Sequence, residues 1–256
     1  MNKTRIISIA NHKGGVGKTT TTASVGSILA SQGYHVLAID IDPQANLTSS
    51  LLKGETERTI YLALVGKEEE LPIVNISENL DLVPSSLTLA MAELEMVSAM
   101  SREKVLSELI EPLKARYDFI LIDCPPSLGL LTLNAITASN EVIIPLIAEA
   151  LPVKGLKMMK DFISTVNSKL NPDAHISGIL FTRWEATKLG IDIEERLRES
   201  LGTLIFQTKI RKNIRVGEAP LKHQNIVEYA PNSNGAKDYL AFTEEFKQKF
   251  GIKDQT

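Results

Sequence analysis

Two lysines, three glycines and two threonines stand together in the run Lys13-Gly-Gly-Val-Gly-Lys-Thr-Thr20, directly after the apolar stretch 5–10. A strand running into consecutive glycines lets backbone N–H groups converge on an anion, and a helix opening behind them adds the positive end of its dipole. In such a cradle Lys18 falls where a lysine neutralises phosphate and Thr19 where a hydroxyl serves Mg²⁺, while Gly14, Gly15, Val16, Gly17 and Thr20 make the loop itself. The common pattern G-x-x-x-x-G-K-[ST] misses by one position, because His12 stands where its first glycine belongs. The run matches instead the deviant Walker A form K-G-G-x-G-K-[ST], which brings in a second lysine, Lys13. The competing reading is a glycine-rich turn that binds nothing.

Three acids could complete this chemistry. In Ile39-Asp-Ile-Asp-Pro-Gln44 a strand's period of two puts Asp40 and Asp42 on one side, at the carboxyl edge where open α/β sheets bind ligands. The apolar run 119–122 delivers a single acid, Asp123, in the arrangement that holds Mg²⁺ through water. One acid at a strand end is more often a cap or turn residue. Three features in this order on successive elements favour a nucleotide and magnesium site.

The elements that must position these residues are legible as a rhythm. Short β-branched runs at 5–10, 35–40, 80–84, 118–123, 141–146 and 176–182, with a weaker one at 204–210, alternate with helical patterns. Several runs are continuously apolar, as strands covered on both faces are. Ala23, Val25, Ile28 and Leu29 sit at helical spacing behind the glycine loop, and Gly33 follows as a stop. Residues 53–72 are polar, with the charged run Lys67-Glu-Glu-Glu70, and read as a solvated helix end and loop. The fold class is therefore α/β: a single doubly wound domain spanning 1–256, its mostly parallel central sheet flanked by helices, of the P-loop NTPase type.

Composition narrows the classes of function. At 256 residues and 43% hydrophobic the chain can bury one large core. Its only cysteine, Cys124, excludes an internal disulfide framework and a C-x-x-C pair for zinc or an iron–sulfur cluster, and reads as a small core residue. No signal-peptide pattern and no apolar run of about 18 residues is seen, so a cytoplasmic location is expected. The net charge of −3 argues against a globally basic nucleic-acid coat. It leaves room for a patch: between 207 and 222 lie Lys209, Arg211, Lys212, Arg215 and Lys222 against one acid, Glu218.

Taken together, the glycine loop, Asp40-Ile-Asp-Pro-Gln44, Asp123-Cys-Pro-Pro-Ser127, Leu131-Thr-Leu-Asn-Ala135, Glu218-Ala-Pro220 and Ala230-Pro-Asn-Ser-Asn-Gly-Ala236 resemble the ParA (Soj-like) chromosome and plasmid partition ATPases over nearly the whole chain. The resemblance implies an ATP hydrolase with ATP and Mg²⁺ as cofactors, forming a homodimer with ATP between its subunits. It implies that Lys13 reaches across to the partner's phosphates, that Asp42 orients the attacking water, and that Asp40 supports the metal held by Thr19 and Asp123. Thr182, Arg183 and Asn213 carry over as further nucleotide contacts. It implies a nucleoid-associated protein whose ATP dimer binds double-stranded DNA without sequence preference, through a basic surface matched here to Lys209–Lys222, and a ParB-like centromere-binding partner that triggers hydrolysis. No helix-turn-helix precedes the glycine loop, so operator-specific repression is not expected.

The chain departs from the family pattern at three places. His12 replaces a glutamine and reads as a packed or solvent-touching residue. Glu149-Ala-Leu-Pro-Val-Lys-Gly155 lacks the usual aromatics, with Pro152 suited to a helix first turn. Arg211-Lys-Asn213 replaces Pro-Arg-Asn near the adenine. Two rivals remain in view: a MinD-like ATPase cycling on a membrane or protein surface, and a non-hydrolysing scaffold that binds nucleotide for assembly. Against the first, Phe242, Phe246 and Phe250 at i, i+4, i+8 read as a helix packed on its own core, with no membrane partner.

Overall fold

The computed structural model describes residues 4–149 and 152–252; Ala150 and Leu151, in the stretch that departs from the family pattern, lie outside the described residues. Eight strands form one sheet: β1 (Arg5–Ile9), β2 (Val36–Asp40), β3 (Val74–Ser77), β4 (Leu80–Val83), β5 (Phe119–Asp123), β6 (Glu141–Leu146), β7 (His175–Trp184) and β8 (Ile205–Arg211). Their order is β3-β4-β2-β5-β1-β6-β7-β8, and every neighbouring pair is parallel except β3 with β4. The helices are α1 (Lys18–Ser31), α2 (Asn46–Leu51), α3 (Ile60–Leu64), α4 (Ala92–Glu95), α5 (Val105–Ile110), α6 (Leu130–Ala138), α7 (Pro152–Lys169), α8 (Lys188–Leu201), α9 (Ile214–Glu218), α10 (Ile226–Tyr229) and α11 (Asn234–Lys249).

Strand periodicity divides the core into two layers. Ile6, Leu37, Ile39, Ile120 and Ile122 pack with α3, α5, α6, α7 and α8 on one face. Ile7, Val36, Ala38, Phe119 and Leu121 pack with α1, α2 and α11 on the other. A sheet covered on both faces can be apolar at every position, which is why the strand runs read so clearly. Chain connections from β1 and β5 diverge to opposite sides of the sheet, and the crevice at their carboxyl ends is where a doubly wound sheet places its ligand.

Two expectations are corrected. Residues 53–72 are not only loop: α3 buries Ile60, Ala63 and Leu64 against the core. The sequence rhythm also missed β3, an antiparallel edge strand whose alternate residues are exposed; four residues with one apolar face leave little periodic signal. The C-terminal phenylalanines are spent inside the protein. Phe242 and Phe246 are fully buried, Phe242 meets Phe206 edge-on at 4.8 Å, and Phe250 meets Phe246 edge-on at 4.7 Å beneath the Arg5 guanidinium. Among the described residues no helix is long and apolar enough to cross a membrane.

Removing the Phe242 ring leaves a cavity that helices fixed to a sheet cannot close. Phe242→Ala should cost about 3–5 kcal/mol in urea unfolding; a loss below about 1 kcal/mol would mean that α11 does not anchor this layer.

Candidate functional site

The glycine loop leaves β1 and enters α1 through two left-handed residues, Gly15 at φ 71° and Gly17 at φ 83°, which only glycine adopts without strain. No side chain caps α1, so its first N–H groups remain for an anion. Two contacts from other strands set the loop. Asn11 donates to the Pro145 carbonyl (2.7 Å) and accepts from the Lys13 N–H (3.0 Å), and Thr182 on β7 donates to the Val16 carbonyl (2.8 Å). Thr182, expected as a nucleotide contact, therefore also positions the loop; Asn11 was not singled out from sequence, because only its place at the end of β1 marks it. Lys18 is buried and spans the loop to the Lys13 carbonyl (3.2 Å). Burial pulls its ammonium below the ordinary range, against the opposing charge of Asp123.

Asp40 and Asp42 do not lie on one strand face as the period of two implied. Strand β2 ends at Asp40, and Asp42 belongs to the loop beyond it. Asp40 and Asp123 are instead register partners on the adjacent strands β2 and β5, both fully buried. Asp40 is held by protein donors: one oxygen accepts from the Thr48 N–H (2.8 Å) and hydroxyl (2.7 Å), the other from the Asp42 N–H (3.1 Å). Burial still pushes its carboxyl up to about 6 despite those bonds. Asp42 accepts from the Gln44 N–H (2.9 Å) and lines the cavity beside the glycines. For Asp123, burial and then the neighbouring Asp40 raise the carboxyl well above the usual range. Its Oδ2 accepts from Thr19 (2.6 Å), whereas its buried Oδ1 has no hydrogen-bond partner.

An orphaned buried carboxylate oxygen beside a threonine hydroxyl is a hard oxygen donor set, and it fits Mg²⁺. Thr19 and Asp123 would hold the ion, with Asp40 behind them. The bound ion would neutralise charge on the β- and γ-phosphate oxygens.

A cavity of about 710 Å³ runs from the glycines to the far side of β8, and it brings together Gly14, Gly15, Gly17, Lys18, Thr19, Thr20, Asp42, Thr182, Arg183 and Asn213. Arg183, near the end of β7, lines it from a left-handed conformation, φ 48°. The outer wall is apolar: Ile214, Val216, Pro220 and Leu221, with Ile214 and Leu221 largely exposed. Such a wall suits the face of a purine base. Sequence reading passed over it because it lies beyond a strand end, and its only signal was two large apolar residues inside a basic stretch.

The basic stretch changes meaning on folding. Lys209 pairs with Glu194 (2.9 Å) and lies over the Trp184 ring at 4.4 Å, and Arg211 is bidentate on the buried Asp238. Lys212 pairs with Glu185 (3.2 Å) and Arg215 with Glu218 (2.8 Å). The excess of about four positive charges counted along the chain is thus mostly compensated by acids that the fold brings from elsewhere. Lys209 and Arg211 are committed to half-buried structural pairs, and Arg211 and Lys212 also line the nucleotide cavity. Lys212 and Arg215 keep exposed, exchangeable pairs. Among the described residues Lys222 alone of the five has no carboxylate partner.

Lys13 turns outward. Its ammonium, half-exposed, pairs with Glu149, an acid in the stretch that departs from the family pattern. A small cavity of about 110 Å³ beside the pair is lined by Glu149, Arg183, Trp184 and Lys212. His12 packs against Gly155 on α7, where a Cβ would lie 2.3 Å from the imidazole, so this glycine is required by close approach. Cys124 is buried in the core beneath the site, and burial pushes its thiol up.

The AAA domain family model matches residues 4–176. Sporulation initiation inhibitor protein Soj of Bacillus subtilis is 43% identical over 246 residues, covering 94% of this chain and 97% of that protein. Among solved structures, cobyrinic acid a,c-diamide synthase from Mycobacterium smegmatis with bound ADP and magnesium superposes with a TM-score of 0.83 at 32% identity, covering 98% of each chain. A putative plasmid partition protein from Borrelia burgdorferi bound to AMPPNP gives a TM-score of 0.81 at 29% identity, covering 96% of this chain and 100% of that one.

The Thr48 hydroxyl joins the acid pair to the next loop, since it donates to Asp40 and accepts from the Ser85 N–H (2.9 Å). Thr48→Val keeps the shape but strands a buried N–H and removes a carboxylate donor. It should lower stability by about 1–3 kcal/mol in urea unfolding and raise the Mg²⁺ concentration for half-maximal ATP hydrolysis, with Thr48→Ser near wild type. Unchanged stability and metal dependence in the valine variant would show that this link carries nothing.

Proposed function

Because the chain belongs to the ParA/Soj family of partition ATPases and is a magnesium-dependent ATP hydrolase, we propose that it works as a dimerisation switch in DNA segregation. ATP binding assembles two copies face to face, the dimer associates with non-specific duplex DNA, and a centromere-bound, ParB-like partner stimulates hydrolysis and release.

The observation that supports this reading most is the position of Lys13. Its own loop is already served by Lys18, whereas the Lys13 ammonium points out to Glu149 on the exposed rim. A second cation for the phosphates then comes from the opposing copy, and a trans-acting cation in related switches accelerates hydrolysis roughly 10³- to 10⁵-fold. Asp42, in the loop beyond β2 and lining the cavity beside the cradle, would orient the attacking water, and little other covalent chemistry is needed from protein. For DNA, the exposed pairs of Lys212 and Arg215 can exchange their carboxylates for phosphates, and Lys222 is already free to do so. Dimerisation doubles that modest surface.

Binding of the purified protein to non-specific duplex DNA should appear with ATP, vanish with ADP, and fall steeply with salt, each phosphate contact adding about 0.9 to the log–log slope. Lys13→Ala should abolish hydrolysis while retaining ATP, and Asp42→Ala should accumulate an ATP dimer on DNA. Nucleotide-independent binding, or normal turnover in Lys13→Ala, would overturn the reading.

A further inference from the structure

A second cavity opens at the edge of the sheet away from the nucleotide. It encloses about 360 Å³ at the amino ends of three strands: Thr4 and Ile6 bring β1 to it, Asn140 precedes β6, and Asn171 and Asp173 precede β7. Doubly wound sheets place their ligands at the carboxyl ends of the strands, and β1 runs its five residues, roughly 3.3 Å each, before the glycine loop begins. The cavity therefore lies a strand's length from the nucleotide site and shares no lining residue with it.

The backbone of its wall is already satisfied. A helix end leaves bare carbonyls, and these favour a cation. Here the Asn171 amide donates to the Thr137 carbonyl (2.9 Å) and to the Ser139 carbonyl (2.8 Å), which covers the end of α6. The Asn140 N–H donates to the Ile6 carbonyl (3.0 Å), and the Asn140 carbonyl accepts from the His175 N–H (3.1 Å). The Thr4 hydroxyl lies between the Lys114 and Tyr117 carbonyls and holds the turn that carries Lys114. What remains is a set of side-chain donors. Thr137 is 5% exposed, and its buried hydroxyl has no hydrogen-bond partner. Among the described residues the Lys104 ammonium and the Asn140 side-chain amide have none either, and Lys114 has only the exposed Glu111. A buried donor left unpaired is costly, and it calls for an acceptor.

That surplus of donors selects an oxyanion. Lys104 and Lys114 supply charge, Thr137 and Asn140 supply hydrogen bonds, and Ile6 and Leu170 add apolar wall. The one carboxylate there, Asp173, has no partner among the described residues. It would repel a bare anion, yet it accepts from the hydroxyl groups of a larger one. The volume falls in the range of small-molecule pockets and exceeds what a lone phosphate fills. We propose that this cavity binds a small hydroxylated metabolite bearing an oxyanion, a phosphate ester, with the oxyanion at Lys104, Lys114 and the Thr137 hydroxyl and the hydroxyl groups toward Asp173. The proposal is independent of the dimerisation reading. It gives the chain a second ligand, whose binding to the folded state alone raises stability by mass action.

The test is isothermal titration of the full chain held in Mg²⁺ and ADP, so that the glycine loop is filled, with glucose 6-phosphate, methyl phosphate, gluconate and glucose as probes. Glucose 6-phosphate should bind at one site per chain, methyl phosphate more weakly because it leaves Asp173 untouched, and glucose not at all. Lys104→Glu and Thr137→Val should each weaken glucose 6-phosphate by roughly tenfold or more, with ADP binding unchanged. Lys104 is exposed, so its variant decides the matter even where the valine variant folds poorly. No binding of any anion, or binding that Lys104→Glu leaves intact, overturns the site. Glucose binding as tightly as its phosphate overturns the oxyanion, and methyl phosphate matching glucose 6-phosphate overturns the hydroxylated body. Gluconate bound more tightly than glucose 6-phosphate, and weakened by the same variants, supports the oxyanion site and overturns the phosphate ester in favour of a carboxylate.

Discussion

Two carboxylates buried side by side with one buried ammonium set the terms for the rest of the molecule. Asp40 and Asp123 are register partners at the carboxyl ends of β2 and β5, and Lys18 is the cation among them. Burial holds both acids above the ordinary carboxylate range, and the neighbouring Asp40 raises Asp123 further. The folded Asp40 keeps its proton to about 6, while an unfolded aspartate releases it near ~3.9, so ionisation weakens the native state as pH rises through that window. At neutral pH the site is short of positive charge. Thr48, the Asp42 N–H and Thr19 supply dipoles, and a divalent cation supplies the remainder.

That shortage makes the surrounding loops responsive. Donors that satisfy Asp40 belong to the segment 42–48, and the same Thr48 hydroxyl fixes Ser85. A change of charge at Asp40 is thereby felt at residue 85, some forty positions along the chain, through two hydrogen bonds. Packed elements with discrete arrangements transmit such changes without any large displacement at the source.

Much of this was legible in the sequence, for a physical reason. The glycine loop, Lys18, Thr19 and the strand-end acids are local patterns, and strands covered on both faces announce themselves by continuous apolarity. What escaped depends on pairings between distant positions. The acids that compensate Lys209, Arg211 and Lys212 sit 15 to 27 residues away, so a charge count along the chain overstated the patch. The Lys13–Glu149 pair spans 136 positions. Asp42 looked like a strand residue because Ile41 continues the alternation, although β2 has already ended and Ala45 turns the chain through a left-handed φ of 52°. The edge strand β3 was too short to leave a period.

The ring of Trp184 has a value unconnected with packing. It is the one tryptophan of the chain, it lies next to Arg183 on the cavity wall, and it shares a small cavity with Glu149 while the Lys209 ammonium rests on its face. Indole emission shifts with nearby charge, so the protein carries a single built-in optical reporter beside the Lys13–Glu149 pair. In the proposed switch, the departure of Lys13 from Glu149 would be followed in unlabelled protein, in real time, by the colour of one side chain.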